Sequence, residues 1–362
     1  MNTKVKEVVD LINQFAPNNL SYSWDNTGLL VGELSQPANR ILITLDVTEN
    51  IIDYAVDNNF DMIVSHHPMI FRPLKKINDP KIIKLIKNSI AVLAAHTNLD
   101  LVNNGVNHVL AELLELNNVK FVQKSIDKEF YHIIVYVPEV HLEKLKEAIF
   151  NAGGGLFGNY QQCSTHYQVN SQFLPNEFAK PVFGKSNQLE KMNEVKLEFF
   201  ADSVKLKGII NAIHETHPYE APTYAINKLN QDSPNFGLGL IGDLNKMMSL
   251  NELAEYVKEK LGAPFVKLWT AGKDANVKVS RIAICGGSGS SLLPLISNAD
   301  CYISGDFTYH QIIDSCTPII DAGHYYTETP VLNKIFEVLS TLPSYLEIVK
   351  TEDHDIQNLK LI

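Results

Sequence analysis

The chain has little cysteine, no long apolar run and a deficit of positive charge. Its four cysteines, Cys163, Cys285, Cys301 and Cys316, show no CxxC spacing and argue against a reactive thiolate; three sit in apolar stretches, and all are read as buried thiols. No stretch of about 18 uninterrupted apolar residues occurs, and the start MNTKVKEVVDLINQF lacks a signal-type apolar segment. Neither membrane insertion nor secretion is therefore expected, and the expected compartment is cytoplasmic. Lys plus Arg number 31 against 41 Asp plus Glu, a net charge of -10, so bulk charge repels a polyanion and disfavours nucleic acid as a partner. No GxSxG elbow occurs, and the Gly/Ser stretch GGSGSS (286–291) completes neither GxGxxG nor the GK[ST] ending of a P-loop. These absences exclude a nucleophile elbow, a dinucleotide fingerprint and an NTPase motif.

What is present is an ordinary globular composition, 45% hydrophobic and 20% charged, on 362 residues. That length implies two folding units, or one enlarged by an insertion. Residues 3–15 carry apolar positions at helical spacing before Pro17. RILITLDV (40–47) reads as a buried strand, TENIIDYAVDNN (48–59) as a helix, MIVSHH (62–67) as a second strand and IAVLAAHT (90–97) as a third after a basic helix. Far downstream RIAIC (281–285), a helix through Leu293, ADCYISGD (299–306), a helix around Tyr309 and TPIIDAG (317–323) repeat that order. The expected architecture is α/β: two related α/β halves form one main domain around a mostly parallel sheet. Between them the texture changes, with a strand at YHIIVYVP, an amphipathic helix in EVHLEKLKEAIFNAGG and another strand at VKLEFFAD. This pattern predicts a ferredoxin-like α+β domain inserted at 127–235, leaving 1–126 and 236–362 as a discontinuous main domain.

Imidazoles and carboxylates collect at the ends of the predicted strands. His66 and His67 end the second, His96 and Asp100 follow the third, and His324 and Glu328 follow the last, four apart and so on one face of any helix that starts there. Ligands of open α/β sheets bind outside the carboxyl ends of the strands, so these separate segments are expected to converge at one sheet edge. Imidazole with carboxylate suits Zn, Fe or Mn. Arg72, Lys75, Lys76, Lys81, Lys84 and Lys87 form a local basic run, either a solvated face or a means of steering an anionic small molecule. Trp24 and Asp25 are read as structural, a buried Trp beside an N-capping Asp.

The blocks WDNTGLLVG (24–32), LDVT (45–48), SHHPMIF (65–71), HTNLD (96–100), SGDFTYH (304–310) and DAGHYYTE (321–328), in this order, resemble the GTP cyclohydrolase 1 type 2 homolog family, also described as NIF-three-like dinuclear metal proteins. HPYEAPTYAI (217–226) resembles the end of the PII/CutA-like module that some members carry as an insert. The resemblance implies metal ligands at His66, His67, Asp100, His324 and Glu328. It implies two divalent ions per chain, Zn first and Fe or Mn next, with Glu328 bridging. His96 and His310 face the same region by block position and are candidates for orienting a ligand or moving a proton. The resemblance further implies a toroidal homohexamer. The expected function is a metal-dependent hydrolase acting on a small phosphorylated or nucleotide-like substrate; the alternative is a metal-binding regulatory or scaffold protein whose insert senses a metabolite or gates access.

Overall fold

The computed structural model describes residues 3–124, 130–156, 160–229 and 236–349. The chain divides into two compact units, Met1–Ser125 together with Asn235–Ile362, and Ile126–Pro234. The sequence-based borders at 126–127 and 235 lie outside the described residues.

In the first unit α1 (Val5–Phe15) turns Val5, Val8 and Ile12 inward at helical spacing. Strand β1 (Gly28–Val31) precedes β2 (Arg40–Thr44), α2 (Glu49–Asp57), β3 (Met62–Ser65), α3 (Pro80–Lys87) and β4 (Ala91–Ala94). Strands β3 and β4 are buried at every position and β2 at all but its first, as parallel strands covered on both faces must be. The crossover helices start on side-chain caps: Thr48 accepts from the Ile51 N–H at 3.3 Å, and Asp79 accepts from the Lys81 N–H at 2.9 Å with Pro80 in the first turn. Helices α4 (Thr97–Leu101) and α5 (Val106–Leu113) then lead to β5 (Asn117–Lys124).

The second unit runs β6 (Phe130–Val137), α6 (Leu142–Asn151), β7 (Ser164–Phe173), β8 (Glu190–Asp202), α7 (Ser203–Thr216) and β9 (Tyr224–Lys228). Its sheet is antiparallel throughout in the order β7-β8-β6-β9, the ferredoxin-like arrangement of a βαββαβ chain. Ile133, Val135, Leu197 and Phe199 of the sheet bury against Leu145 and Ile149 of α6 and Ile209 and Ile213 of α7.

The chain re-enters the first unit with β10 (Gly237–Ser249), α8 (Leu250–Leu261), β11 (Lys267–Trp269), β12 (Lys278–Ser288), β13 (Cys301–Gly305), α9 (Tyr309–Ile313), β14 (Ile319–Asp321), α10 (His324–Glu328), α11 (Val331–Leu339) and β15 (Tyr345–Ile348). The expected helix through Leu293 is a 3-10 segment, Ser290–Leu295, because Pro294 has no N–H with which to continue an α-helix. The first half of the Gly/Ser stretch before it, Gly286 to Ser288, belongs to β12.

Two sheets form here, where one was expected. The first has the order β1-β4-β3-β2-β15 and the second β11-β14-β13-β12-β10-β5. Each keeps a parallel centre, β2–β4 with β15 and β12–β14, and adds antiparallel neighbours: β1 to the first; β5, β10 and β11 to the second. The physical reason is that each sheet is covered on both of its faces, with α11 and α5 each covering the sheet of the other half. Helices α1 and α11 pack on Ile41, Ile43, Met62 and Val64 while α2 and α3 pack on Leu42, Ile63 and Val92. In the second sheet α8 and α5 cover Leu240, Ile282, Ile284 and Ile303, and Leu292, Ile296 and Phe307 cover Ala283 and Tyr302. Of the cysteines, Cys285 and Cys301 are buried, but Cys163 is half-buried and Cys316 is exposed in the turn before β14, which corrects the reading of all four as core thiols.

Both halves close their first βαβ link in the same way. Asp61 Oδ2 accepts from the Asn39 and Arg40 N–H groups at 2.8 and 3.1 Å, and the Asp61 N–H donates to the Arg40 carbonyl at 2.9 Å. Asp300 Oδ2 likewise accepts from Ser280 and Arg281, both at 2.9 Å, and its N–H donates to the Arg281 carbonyl at 2.7 Å. Asp61→Ala or Asp300→Ala leaves two strand-entry N–H groups without their acceptor. Each should lower unfolding free energy by about 1–3 kcal/mol in urea titrations, and an unchanged midpoint would contradict this use of the carboxylate.

Candidate metal centre

The parallel register fixes where the side chains emerge. Thr44 pairs with Ser65 and Ser65 with Ala94, so β2, β3 and β4 end level, and the residues just past them, Asp46, His66, His67 and His96, share one rim. In the second sheet Ser304 pairs with Asp321, so Asp306 and the start of α10 leave a second rim. Residues from both rims meet. His67, His324 and Glu328 form one group of donor atoms within 4.8 Å of one another; His66, Asp100 and Glu328 form another; His66, His67 and His96 form a third. The expected single sheet edge is thus two carboxyl-end rims facing the same cluster.

Glu328 sits at the centre and is 4% exposed. Its Oε1 faces His66 Nε2 at 3.7 Å, while its Oε2 lies 2.9 Å from His324 Nε2 and 3.1 Å from His67 Nε2. Asp100 Oδ1 is 3.6 Å from His66 Nε2. The two facing imidazole nitrogens of His67 and His324 are 3.3 Å apart. Despite this crowding, His66 Nε2, Asp100 Oδ1 and Glu328 Oε2 are buried with no correctly directed hydrogen bond among the described residues. A buried polar atom without a partner costs about 1–3 kcal/mol. Three of them within these groups of donor atoms fit a cation as the missing partner.

Every imidazole of the cluster is held from behind. His66 Nδ1 is 2.8 Å from the Ala95 carbonyl, His67 Nδ1 2.8 Å from Asp46 Oδ1, His96 Nδ1 2.9 Å from Asp25 Oδ1 and His324 Nδ1 2.6 Å from Asp306 Oδ2. An acceptor on Nδ1 fixes the tautomer and leaves the Nε2 lone pair for a metal, the arrangement that orients ligating histidines generally. Asp25 also accepts from the Thr97 N–H at 3.1 Å and Thr97 Oγ1 at 2.6 Å, tying the start of α4 to a loop 72 positions earlier.

Burial and opposite charge oppose each other across the cluster. Burial pushes the Glu328 carboxyl up, but the three imidazoles around it hold it well below the usual carboxylate range. Burial pushes His67 and His324 down; Asp46 and Glu328 then raise His67 to about 10, and Glu328 with Asp306 raises His324 to about 9. His66 is also raised, Glu328 outweighing complete burial. Burial, with Glu328 beside it, lifts Asp100 to about 6. For Asp25 burial again acts upward, but the bonds from His96 and Thr97 hold it far below its ordinary value.

The structure therefore brings together His66, His67, Asp100, His324 and Glu328, with His96 beside them. His310 stands apart: it is exposed on α9, its ring lies 5.3 Å from that of Tyr309, and it enters none of the three groups. The reading of Trp24 and Asp25 is corrected on both residues. Trp24 is 57% exposed, and the Asp25 side chain is fully buried as the partner of His96. Sequence reasoning also left Asp46, Asp306 and Gly287 unassigned. The signal for the two aspartates was their place just past buried strands. Gly287 has φ +63°, and a Cβ there would lie 2.0 Å from Glu328 Oε1, so this backbone approaches the carboxylate as only glycine can.

A two-sheet α/β unit whose strand ends present a buried carboxylate among back-bonded imidazoles defines a candidate metal-binding protein. The profile of the family described as Duf34/NIF3 (NGG1p interacting factor 3) matches residues 3–355, and the chain belongs to that family. Curated relatives carry the name GTP cyclohydrolase 1 type 2 homolog. That of Bacillus subtilis (strain 168) is 37% identical over 331 residues, covering 88% of each chain, and that of Staphylococcus epidermidis (strain ATCC 12228) is 35% identical over 331 residues, covering 89% of each. Among solved structures, a Bacillus cereus protein related to NIF3 matches with TM-score 0.66 and 32% identity over 96% of this chain and 97% of that one. A Staphylococcus aureus protein matches with TM-score 0.72 and 26% identity over 100% and 99%. No helix among the described residues is long and apolar enough to cross a membrane.

Two outcomes follow from the geometry. Gly287→Ala drives a methyl into Glu328 at a positive φ; metal bound per chain, measured by plasma emission after dialysis, should fall by at least half, while normal metal content would contradict the close approach. Ligating imidazoles must be neutral, and the carboxylates around His67 and His324 favour their protonated forms, raising them to about 10 and about 9, so metal uptake displaces protons and apparent affinity climbs as pH rises toward that range. Calorimetry in buffers of different ionisation enthalpy checks this, and a buffer-independent heat would contradict it.

Proposed function

We propose that the chain is a dinuclear divalent-metal protein acting as a hydrolase on a small phosphorylated or nucleotide-like compound. The observation that carries the reading is the division of Glu328 between two ligand groups. His66, Asp100 and Oε1 would hold one cation, and His67, His324 and Oε2 the other. Donors of this mixed nitrogen and oxygen type suit zinc first, with iron or manganese next. A pair of such cations supplies Lewis acidity to a substrate oxygen and to water.

The chain's own residues do the remaining work. Ala95, Asp46 and Asp306 keep the ligating rings in the tautomer that leaves Nε2 free, and the buried surroundings of Glu328 exclude bulk water. His96, held at Nδ1 by the Asp25 carboxylate, keeps its Nε2 turned to the centre and is suited to accept a proton there and return it to a leaving group. The curated relatives' name supports a nucleotide-like substrate. The resemblance supports a toroidal homohexamer, and free thiols at Cys163 and Cys316 suit a reducing compartment such as the cytoplasm. The βαββαβ unit supports the PII/CutA-like reading of the insert and with it the second reading, a regulatory protein whose insert senses a metabolite.

Purified protein should carry two metal ions per chain, falling to one or none in Glu328→Ala, and a panel of phosphoesters and nucleotides should contain a compound turned over by the wild type at least about 100-fold faster than by that variant. Metal at two per chain with equal turnover by both proteins would sink the hydrolase reading and favour the regulatory one; no bound metal would sink both.

A further inference from the structure

Beside His96 the loop carrying Asp25 holds an aromatic surface that the metal centre does not use. Trp24 stacks on Tyr22 with centroids 5.6 Å apart and planes 19° from parallel, meets Phe71 at 5.8 Å, and stands edge-on to His96 at 6.3 Å. Trp24 is 57% exposed and Phe71 50%. A large ring left this exposed on a pliable loop would normally fold down, but this loop is fastened at several points. The Tyr22 N–H donates to Thr97 Oγ1 at 3.1 Å, the Asp25 N–H to the Tyr22 carbonyl at 3.0 Å, and the Asn26 side chain to the Ile70 carbonyl beside Phe71. Asp25 anchors the same loop inward through His96 and Thr97, so residue 25 faces the cluster while residue 24 keeps an open ring next to it. The exposed cations Arg72, Lys75 and Lys76 follow Phe71 directly in an otherwise acidic protein.

We propose that Trp24 and Phe71 form a stacking subsite for a planar ring of the molecule brought to the His66–Glu328 centre, and that Arg72, Lys75 and Lys76 receive an anionic group on that molecule. The occupant is a heteroaromatic ring bearing phosphate, and this assignment rests on the reading of the cluster as a metal-dependent centre. Stacking on an exposed indole is tolerant of ring identity but needs a π-face, whereas the cations need only charge, so the two contributions separate. The subsite also gives the basic run a role beyond a solvated surface, because that run begins at Arg72, the residue directly after Phe71 in the chain.

The test is equilibrium binding of adenosine 5′-monophosphate, guanosine 5′-monophosphate and ribose 5-phosphate to the metal-loaded full chain, with bound metal and sedimentation measured on each sample. Trp24→Ala should weaken both nucleotides about 10-fold or more and leave ribose 5-phosphate, metal content and assembly unchanged, while Trp24→Phe recovers most of the loss. Arg72→Ala with Lys75→Ala and Lys76→Ala should weaken all three ligands. Unchanged nucleotide binding in Trp24→Ala, or equal affinity of wild type for ribose 5-phosphate and the nucleotides, overturns the proposal. A change of assembly in Trp24→Ala also overturns it, since the aromatic surface would then be a contact with a second copy. Wild type that binds the nucleotides through Trp24 but takes up no metal would keep the subsite and sink the metal reading, so the two fail separately.

Discussion

A carboxylate taken out of water must be compensated, and Glu328 is compensated by imidazoles drawn from two sheets that are far apart in sequence. His66 and His67 leave the first sheet while His324 and Glu328 leave the second, so the cluster exists only if the two halves pack with their carboxyl-end rims facing. The demand works in both directions. Without the halves in register, Glu328 would be a buried charge with nothing opposite it, at a cost of several kcal/mol. With them in register it becomes the shared centre of two groups of donor atoms, and its own undirected Oε2 with His66 Nε2 and Asp100 Oδ1 marks where further positive charge belongs.

The shell behind the histidines turns that meeting point into a rigid one. Asp25, Asp46, Asp306 and the Ala95 carbonyl each hold one Nδ1, and each sits on a loop or strand end that the fold already fixes. Asp25 joins the first turn of α4 to the loop of Trp24, which links the electrostatics of the centre to the aromatic surface beside it. Gly287 contributes by absence: its missing Cβ is the space that Glu328 occupies. The duplicated Asp61 and Asp300 turns fix the start of the two related βαβ links, so the equivalent strands of both halves enter their sheets alike.

Much of this was legible in the sequence because the signals were local. Uninterrupted apolar runs announced β2, β3, β4 and β13, and histidines or carboxylates directly after them lay where open α/β sheets place ligands. The i, i+4 spacing of His324 and Glu328 gave the shared face of α10. What could not be read was set by tertiary packing. Asp25 looked like an ordinary cap because its partner lies 71 positions away, and Trp24 looked like core because indole is usually buried. The split into two sheets follows from which helices cover which faces, a choice that periodicity does not encode. His310 shares a sequence block with Asp306 but lies a helix turn beyond it on the exposed side of α9, so adjacency along the chain did not become adjacency in space.

The central claim is that Glu328 is shared by two cations, each completed by a different pair of ligands. Diffraction from metal-loaded crystals on the two sides of the metal's absorption edge measures this directly. The account predicts two anomalous peaks per chain flanking the Glu328 carboxylate, one against His66 and Asp100 and one against His67 and His324; a lone peak, or peaks away from Glu328, would contradict it.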